Sequence, residues 1–336
     1  MSWGEVQNAH REGMLAAQRQ LRKIGASYED PIDVFGEIER YPLWLLFEPL
    51  DKLYGIYMRE GQASGVQLHS GHPVALQRFT AAHELGHHVL GHGTSIDSVD
   101  SIMGYSQSRQ EHEAQSFAAH FLMPLQLINR LLRRIGLDRK AEGLTPVQAY
   151  QLSTMADTSY RAMVGQLMTL GKITRAQAAE WRKLRPVDLK VELGAGIAPQ
   201  NPRAQLWRIN EKQPGSTVYL YGEDEVHVAL RENPSTGLTW TARVQEGPVE
   251  LVDIWMGSPT TEEELQVVGN AGLRHLRLRA SQPGKAMVTA DLARPQAPDR
   301  IYETFSVEVA VQRWPSGETR VGLAERQRLA WVKAAA

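Results

Sequence analysis

The residues with the clearest chemical potential are His83, Glu84 and His87, in the run His83-Glu84-Leu85-Gly86-His87. Two histidines four apart on a helix project from one face, one turn above the other, and can grip a single divalent cation. Glu84 sits on a shifted azimuth, where it reaches a water at the metal rather than the metal itself. Ala82, Leu85, Gly86 and Val89 form an apolar stripe at i, i+3, i+4 and i+7, which predicts a buried helix around the two imidazoles. The spacing does not require His88 or His92 to bind metal, and both are expected at the surface or in support of a ligand. The chain has 0 cysteines, so any metal must sit on His, Asp or Glu.

A catalytic zinc site takes a third protein ligand and keeps one position open for water. The next strongly patterned segment supplies candidates. Ser108-Arg109-Gln110-Glu111 reads as a capping box that starts a helix. Ala114, Phe117, Ala118, Phe121 and Leu122 then make a buried stripe, and Pro124 stops the helix near Met123. On that reading Glu111 is occupied by capping and His112 faces solvent. Glu113 borders the stripe and is the expected third ligand. His120, two turns beyond Glu113, is a candidate to support a ligand or to stabilise the oxyanion, or else a partly buried polar group satisfied by a hydrogen bond.

Residues from about 12 to 125 resemble the ImmA/IrrE family of intracellular zinc metallopeptidases. The resemblance rests on Pro31-Ile32-Asp33-Val34, on Gly65-Val66-Gln67-Leu68, on the run from Arg78 through His87, and on Glu113-Ala114-Gln115-Ser116-Phe117-Ala118-Ala119 leading to Leu122-Met123-Pro124. The family commonly has Asn where this chain has Gln115. The resemblance implies an α+β, zincin-like core with one catalytic Zn²⁺ on His83, His87 and Glu113, and Glu84 as general base. It also implies a substrate class, the helix-turn-helix transcriptional repressors that control stress-response genes or mobile elements. Zinc lowers the pKa of a water, and Glu84 is placed to take the proton and pass it to the leaving amine. The 65–70 strand is a candidate edge for pairing with an extended substrate, or else ordinary sheet.

The elements around this core fall into zones. Residues 1–135 are expected to form the metallopeptidase domain, 136–190 an all-helical, helix-turn-helix-like segment, 191–204 a linker, 205–313 a β-sandwich and 314–336 a tail. Thr145-Pro146 and Ser159 begin two short helices, but the second offers only Arg161 and Lys172 as cations, so direct DNA binding is not expected. From about residue 205 the period becomes two, as in Val226, Val228 and Leu230 and again in Phe305, Val307, Val309 and Val311.

Three loop segments accompany that rhythm: Asn233-Pro234-Ser235-Thr236-Gly237, Gly269-Asn270-Ala271-Gly272 and Arg294-Pro295-Gln296-Ala297-Pro298. With the strands they resemble the chagasin family of cysteine-peptidase inhibitors, immunoglobulin-like sandwiches whose loops at one end wedge into papain-like clefts. Two loops depart from the family pattern, with Ala271 in place of Gly and Gln296 in place of Trp. Loss of an aromatic anchor weakens binding. The resemblance therefore implies Asn233, Pro234, Ser235, Thr236, Gly237, Gly269, Gly272, Arg294 and Pro295 as partner-binding positions rather than a strong inhibitor.

Bulk composition fits this picture. The 336 residues are 42% apolar and 22% charged, with a formal net charge of −1, which excludes a disordered chain and a protein that coats nucleic acid by bulk charge. No secretory signal and no membrane span are evident, and a cytoplasmic location is expected. Two functions follow. One is a zinc endopeptidase that cleaves a regulatory protein and carries a sandwich for target recognition or sensing. The other is a binding protein whose sandwich engages a partner, such as a cysteine peptidase, beside an inert or regulatory metal domain.

Overall fold

A computed structural model describes residues 1–51, 53–60, 63–98, 108–211, 217–244, 247–257 and 272–318. The chain divides into two compact units. One is built from residues 1–144, 156–179 and the segment from Pro315 on, the other from residues 145–155 and 180–314. Among the described residues no helix is long and apolar enough to cross a membrane.

The first unit opens with α1 (Trp3–Lys23), started by a capping box in which Ser2 and Glu5 bond each other's backbone N–H. α2 (Val34–Glu39) is started by Asp33, whose Oδ1 accepts from the Gly36 N–H at 3.0 Å. β1 (Leu43–Glu48), β2 (Leu53–Glu60), β3 (Ala63–His69) and β4 (Ser95–Ser98) follow, with α3 (Val74–Leu90) between the last two. Their sheet runs in the order β1-β3-β2-β4, and a two-residue strand at Gly317–Glu318 pairs antiparallel with the outer side of β1. Leu43, Leu45 and Phe47 are buried while Trp44 and Leu46 are half-buried, the alternation of a sheet with one face on a core.

β3 runs parallel to β1, with Leu45 opposite Val66, and antiparallel to β2, with Tyr57 opposite Val66. Both of its hydrogen-bonding edges are taken. The strand expected as a candidate substrate edge is therefore interior, and an extended peptide cannot pair with it.

α3 packs against the sheet and is buried almost throughout from Val74 to His87. α4 (Arg109–Leu122) packs on α1 and α3 with Ala114, Phe117, Ala118, Phe121 and Leu122 buried, and it stops at Met123 before Pro124. Then come α5 (Leu125–Arg134), α6 (Pro146–Met155), α7 (Tyr160–Thr169), α8 (Arg175–Trp181) and α9 (Pro186–Leu193). α7 belongs to the first unit, where its buried Gln166 donates to the Met123 carbonyl at 2.9 Å.

The second unit holds two four-stranded sheets. One is β5 (Leu206–Asn210), β7 (Glu225–Glu232), β10 (Gly272–Ala280) and β9 (Val249–Gly257), in that order. The other is β6 (Thr217–Leu220), β12 (Ala297–Val311), β11 (Gly284–Arg294) and β8 (Thr239–Val244). Val226, Val228, Leu230, Leu276 and Leu278 from the first sheet share one buried core with Trp240, Val288, Ala290, Val307 and Val309 from the second.

α6 and α9 pack on each other and on β5. The Tyr150 hydroxyl donates to Gln205 Oε1 at 2.8 Å and accepts the Leu206 N–H at 3.1 Å. The Lys190 ammonium donates to the carbonyls of Pro202 and Ala204 at 2.8 and 2.5 Å, and the Gln200 N–H donates to Glu225 Oε1 at 2.8 Å. Residues 191–204, expected as a linker, are thus pinned by hydrogen bonds, and the helices of 136–190 divide between the two units instead of packing as one body.

Candidate metal centre and loop cluster

α3 presents His83 and His87 on one face, fully buried, with their Nε2 atoms 3.1 Å apart. Glu111 of α4 brings its carboxylate to the same point. Oε2 lies 3.2 Å from His83 Nε2, and Oε1 lies 3.5 Å from His87 Nε2. Ligands about 2.05 Å from a tetrahedral ion stand about 3.3 Å from one another. The three separations match that edge length, so the donor set fits a zinc ion in chemistry and in spacing.

The carboxylate at the imidazoles is Glu111, where the sequence pointed to Glu113. Two steps along a helix rotate a side chain by about 200°, so the two glutamates face different neighbours. Glu113 accepts from His92 Nε2 at 2.9 Å and from Arg109 Nε at 2.6 Å. The expected capping box is not formed, since the Ser108 side chain makes no cap hydrogen bond, and Glu111 turns toward α3 instead. A usable signal was present. Glu111 lies three before Ala114 and seven before Ala118, on the line of the buried stripe that meets α3.

Two glycines make the room. A Cβ on Gly86 would stand 3.1 Å from Phe117 Cδ1 and 3.2 Å from Ala114 Cα, so the bare backbone there lets α4 approach α3 closely enough for Glu111 to reach across. A Cβ on Gly55 of β2 would stand 2.5 Å from Thr80 Cγ2 and 3.0 Å from Glu84 Oε1. Glu84 is fully buried in that space, beside the two imidazoles in sequence.

The remaining histidines have other surroundings. His88 Nδ1 meets the Tyr57 hydroxyl at 3.1 Å, and its ring packs edge-on against Tyr41. His120 Nδ1 accepts from Gln166 Nε2 at 3.2 Å, and burial pushes its pKa down to about 4, which keeps the ring neutral. Its neighbour is thus α7.

In the second unit the register brings the expected loops together. Glu232 pairs with Gly272, and Thr239 pairs with Ala293, so residues 233–238, the start of β10 and the β11–β12 turn lie side by side. Asn233 Oδ1 accepts from the Ser235 N–H at 3.1 Å and from its hydroxyl at 2.7 Å, and Thr236 Oγ1 donates to the Asn233 carbonyl at 2.7 Å. Pro234–Thr236 form one 3-10 turn closed by Gly237 at φ 68°. Arg294 ends β11, and Pro295 and Gln296 make the exposed turn into β12. Gly269 lies outside the described residues.

Sequence reasoning missed the clamp beneath this cluster. Arg274 donates to both carboxylate oxygens of Glu232, at 2.6 and 3.1 Å, and to Thr239 Oγ1 at 2.9 Å. The Trp240 N–H adds a bond at 2.8 Å. Burial pushes the Glu232 carboxyl up, but the Arg274 and backbone bonds outweigh it and hold its pKa below the usual range.

Comparison with known proteins finds two matches along the chain. Residues 38–157 match the IrrE N-terminal-like domain of the M78 peptidases. Residues 220–309 match the chagasin family of I42 peptidase inhibitors. Amoebiasin-1 of Entamoeba histolytica is 24% identical over 104 residues, which cover 31% of this chain and 98% of that protein. The crystal structure of the cysteine protease inhibitor EhICP2 from the same organism aligns at 19% identity, over 33% of this chain and 100% of that one, with a TM-score of 0.30. PbICP-C, solved in complex with falcipain-2, aligns at 18% identity over 32% of this chain and 100% of that one, with a TM-score of 0.21. The chain therefore joins an IrrE N-terminal-like domain of the M78 peptidase family to a chagasin-family domain.

Proposed function

We propose that the first unit is a zinc endopeptidase domain and that the second binds a protein partner. The observation that carries the first half is the meeting of His83 Nε2, His87 Nε2 and the Glu111 carboxylate at 3.1 to 3.5 Å, with Glu84 next to His83 on the same helix. His83, His87 and Glu111 would hold the ion. Zinc bound there supplies a Lewis acid that polarises the scissile carbonyl and makes water nucleophilic near neutral pH.

Glu84 takes the proton of the attacking water on its carboxylate and returns it to the leaving amide nitrogen. Its burial beside β2 keeps bulk water from competing. An inert metal domain has no chemical need for a glutamate at this position, and this favours the enzyme over the binding-only reading. A helix-turn-helix repressor is the substrate class that goes with this reading, and a cytoplasmic location goes with that substrate.

The test compares wild type with Glu84→Gln in the native host. Both should bind one zinc per chain, and only the wild type should deplete a specific protein. A Glu84→Gln variant with full proteolytic activity ends the mechanism.

For the second unit, the exposed Asn233–Gly237 turn on its Arg274–Glu232 clamp supports protein capture at that end of the sandwich. Among the similar chains, one is described as a cysteine protease inhibitor and another is solved bound to falcipain-2. A papain-like peptidase is accordingly the first partner to try. No inhibition of papain at micromolar concentration retires the inhibitor version of this reading.

A further inference from the structure

β12 is a strand of 15 residues in the second unit, and only part of it is paired on both sides. β11 accompanies it along one edge from Ala297 to Val311. β6 covers the other edge from Glu308 to Val311 alone, with Thr217 opposite Glu308. Among the described residues no strand pairs with that edge before Glu308. The outward main-chain N–H and C=O groups of residues 301–307 form a template for another strand.

Ile301, Tyr302, Thr304, Phe305 and Val307 are β-branched or aromatic, and the stretch holds neither Pro nor Gly. Its one charge is Glu303. Long open edges are normally blunted by charge, proline, a bulge or a cover. The bulge in β12 lies at the start of the stretch, where Tyr302 is an extra residue beside Ala293, and Glu303 to Val307 keep regular register with β11. Ile301 and Tyr302 stand 44% and 48% exposed there.

The stretch is complementary to itself when two copies run antiparallel about Thr304. Thr304 then faces Thr304 of the second copy, Glu303 faces Phe305, and Tyr302 faces Ser306. Arg300 comes opposite Glu308, whose carboxylate is held at the edge by Lys285 Nζ at 3.0 Å and Thr217 Oγ1 at 3.3 Å. Thr–Thr and opposite-charge pairs across two strands are stabilising, and no like charges meet in this register. The length fits as well. Ile301 falls opposite Val307, the last residue of the open edge, whereas centring on Phe305 would drive Ile301 onto Val309, which β6 already holds.

We propose that residues 301–307 of β12 are a docking edge for a second copy of this chain, joined antiparallel about Thr304. The antiparallel arrangement sends the two β11–β12 turns to opposite ends of the pair. Each copy then keeps its Asn233–Gly237 loop cluster open, and the dimer offers two of them. The dimer is independent of the metal centre and of what the loops bind.

The experiment has two arms on the full chain. The sequence holds 0 cysteines, so one introduced thiol reports on one position. Directly opposed residues of antiparallel strands have Cα atoms about 4.5–5.5 Å apart, within disulfide reach. Thr304→Cys should give a covalent dimer on mild oxidation. Met287→Cys, at a site 47% exposed on β11, should stay monomeric over the same time. No cross-link at Thr304, or equal cross-linking at both sites, overturns the proposal.

In the second arm, light scattering follows mass against concentration. Wild type should rise toward twice the 37.6 kDa of one chain. Arg300→Glu and Glu308→Lys each set like charges against each other in their own dimers and should weaken association by at least about tenfold. An equimolar mixture of the two should restore it, because every contact in the mixed pair is again between opposite charges. A wild type that stays monomeric at its highest soluble concentration sinks the proposal, as does a mixture no more dimeric than its components.

Discussion

Glu111 Oε2 stands 3.2 Å from His83 Nε2 across the interface of α3 and α4. That single approach joins two segments 28 residues apart in sequence into one donor set. It also distinguishes the surroundings of two glutamates that look alike in the sequence, since Glu113 turns to His92 and Arg109.

The two carboxylates should therefore differ in their effect on metal. Glu111→Ala is expected to weaken zinc binding by more than the roughly 10- to 100-fold that loss of an outer partner costs, and Glu113→Ala by no more than that range. Chelator competition on the two purified variants measures both. The reverse ranking would return the ligand role to Glu113.

Gly55→Ala should crowd Thr80 and Glu84, because the new Cβ arrives 2.5 Å from the first and 3.0 Å from the second. Overpacking of this kind costs about 1–3 kcal/mol. Thermal unfolding should show that loss. Peptide hydrolysis should fall more steeply than stability, since Glu84 is the group displaced.

The second unit should be acid-sensitive through His227. Burial, reinforced by Arg208 and His275, pushes its pKa down to about 3, and its Nδ1 lies 3.1 Å from the Leu193 carbonyl. The unfolded chain takes up the proton near pH 6.5 and the folded one does not, so stability is intact above that pH and falls as pH drops toward 3. At pH 5 the loss is about 2 kcal/mol. Denaturant titrations at pH 7 and pH 5 read it. His227→Gln should flatten the pH dependence, and an unaltered slope in that variant would assign the effect elsewhere.

Arg274→Ala removes the group that ties Glu232 to Thr239 beneath the Asn233–Gly237 turn. Breaking a largely buried pair from one side costs about 3 kcal/mol. Amide exchange at residues 233–238 should quicken in the variant. Protection equal to wild type would show that the turn holds itself together.

If the loop end of the sandwich engages papain-like clefts, Gln296→Trp should strengthen binding by at least about tenfold, because an aromatic anchor at the centre of an interface contributes a few kcal/mol. Inhibition assays with papain on wild type and variant decide it. Equal inhibition by the two proteins would remove the turn at Pro295–Gln296 from the contact.

The sequence alone determined what depends on neighbours along the chain. Four-residue spacing on a helix brings His83 and His87 together whatever surrounds them. Period-two alternation from Val226 to Leu230 and from Phe305 to Val311 determines which faces meet in the sandwich core. Pro124 ends α4 where it was expected to. Tertiary structure decided what depends on which surfaces touch. The approach of the Glu111 carboxylate to the imidazoles goes with the close packing of α4 on α3, where a Cβ on Gly86 would stand 3.2 Å from Ala114 Cα. The interior place of β3 follows from β1 and β2 taking both of its edges. The pinning of residues 191–204 follows from carbonyls that Lys190 and Arg277 reach only in the folded unit. Helical and strand periods are local properties of the chain. The azimuth of a whole helix and the order of strands in a sheet are set by close packing between segments far apart in sequence.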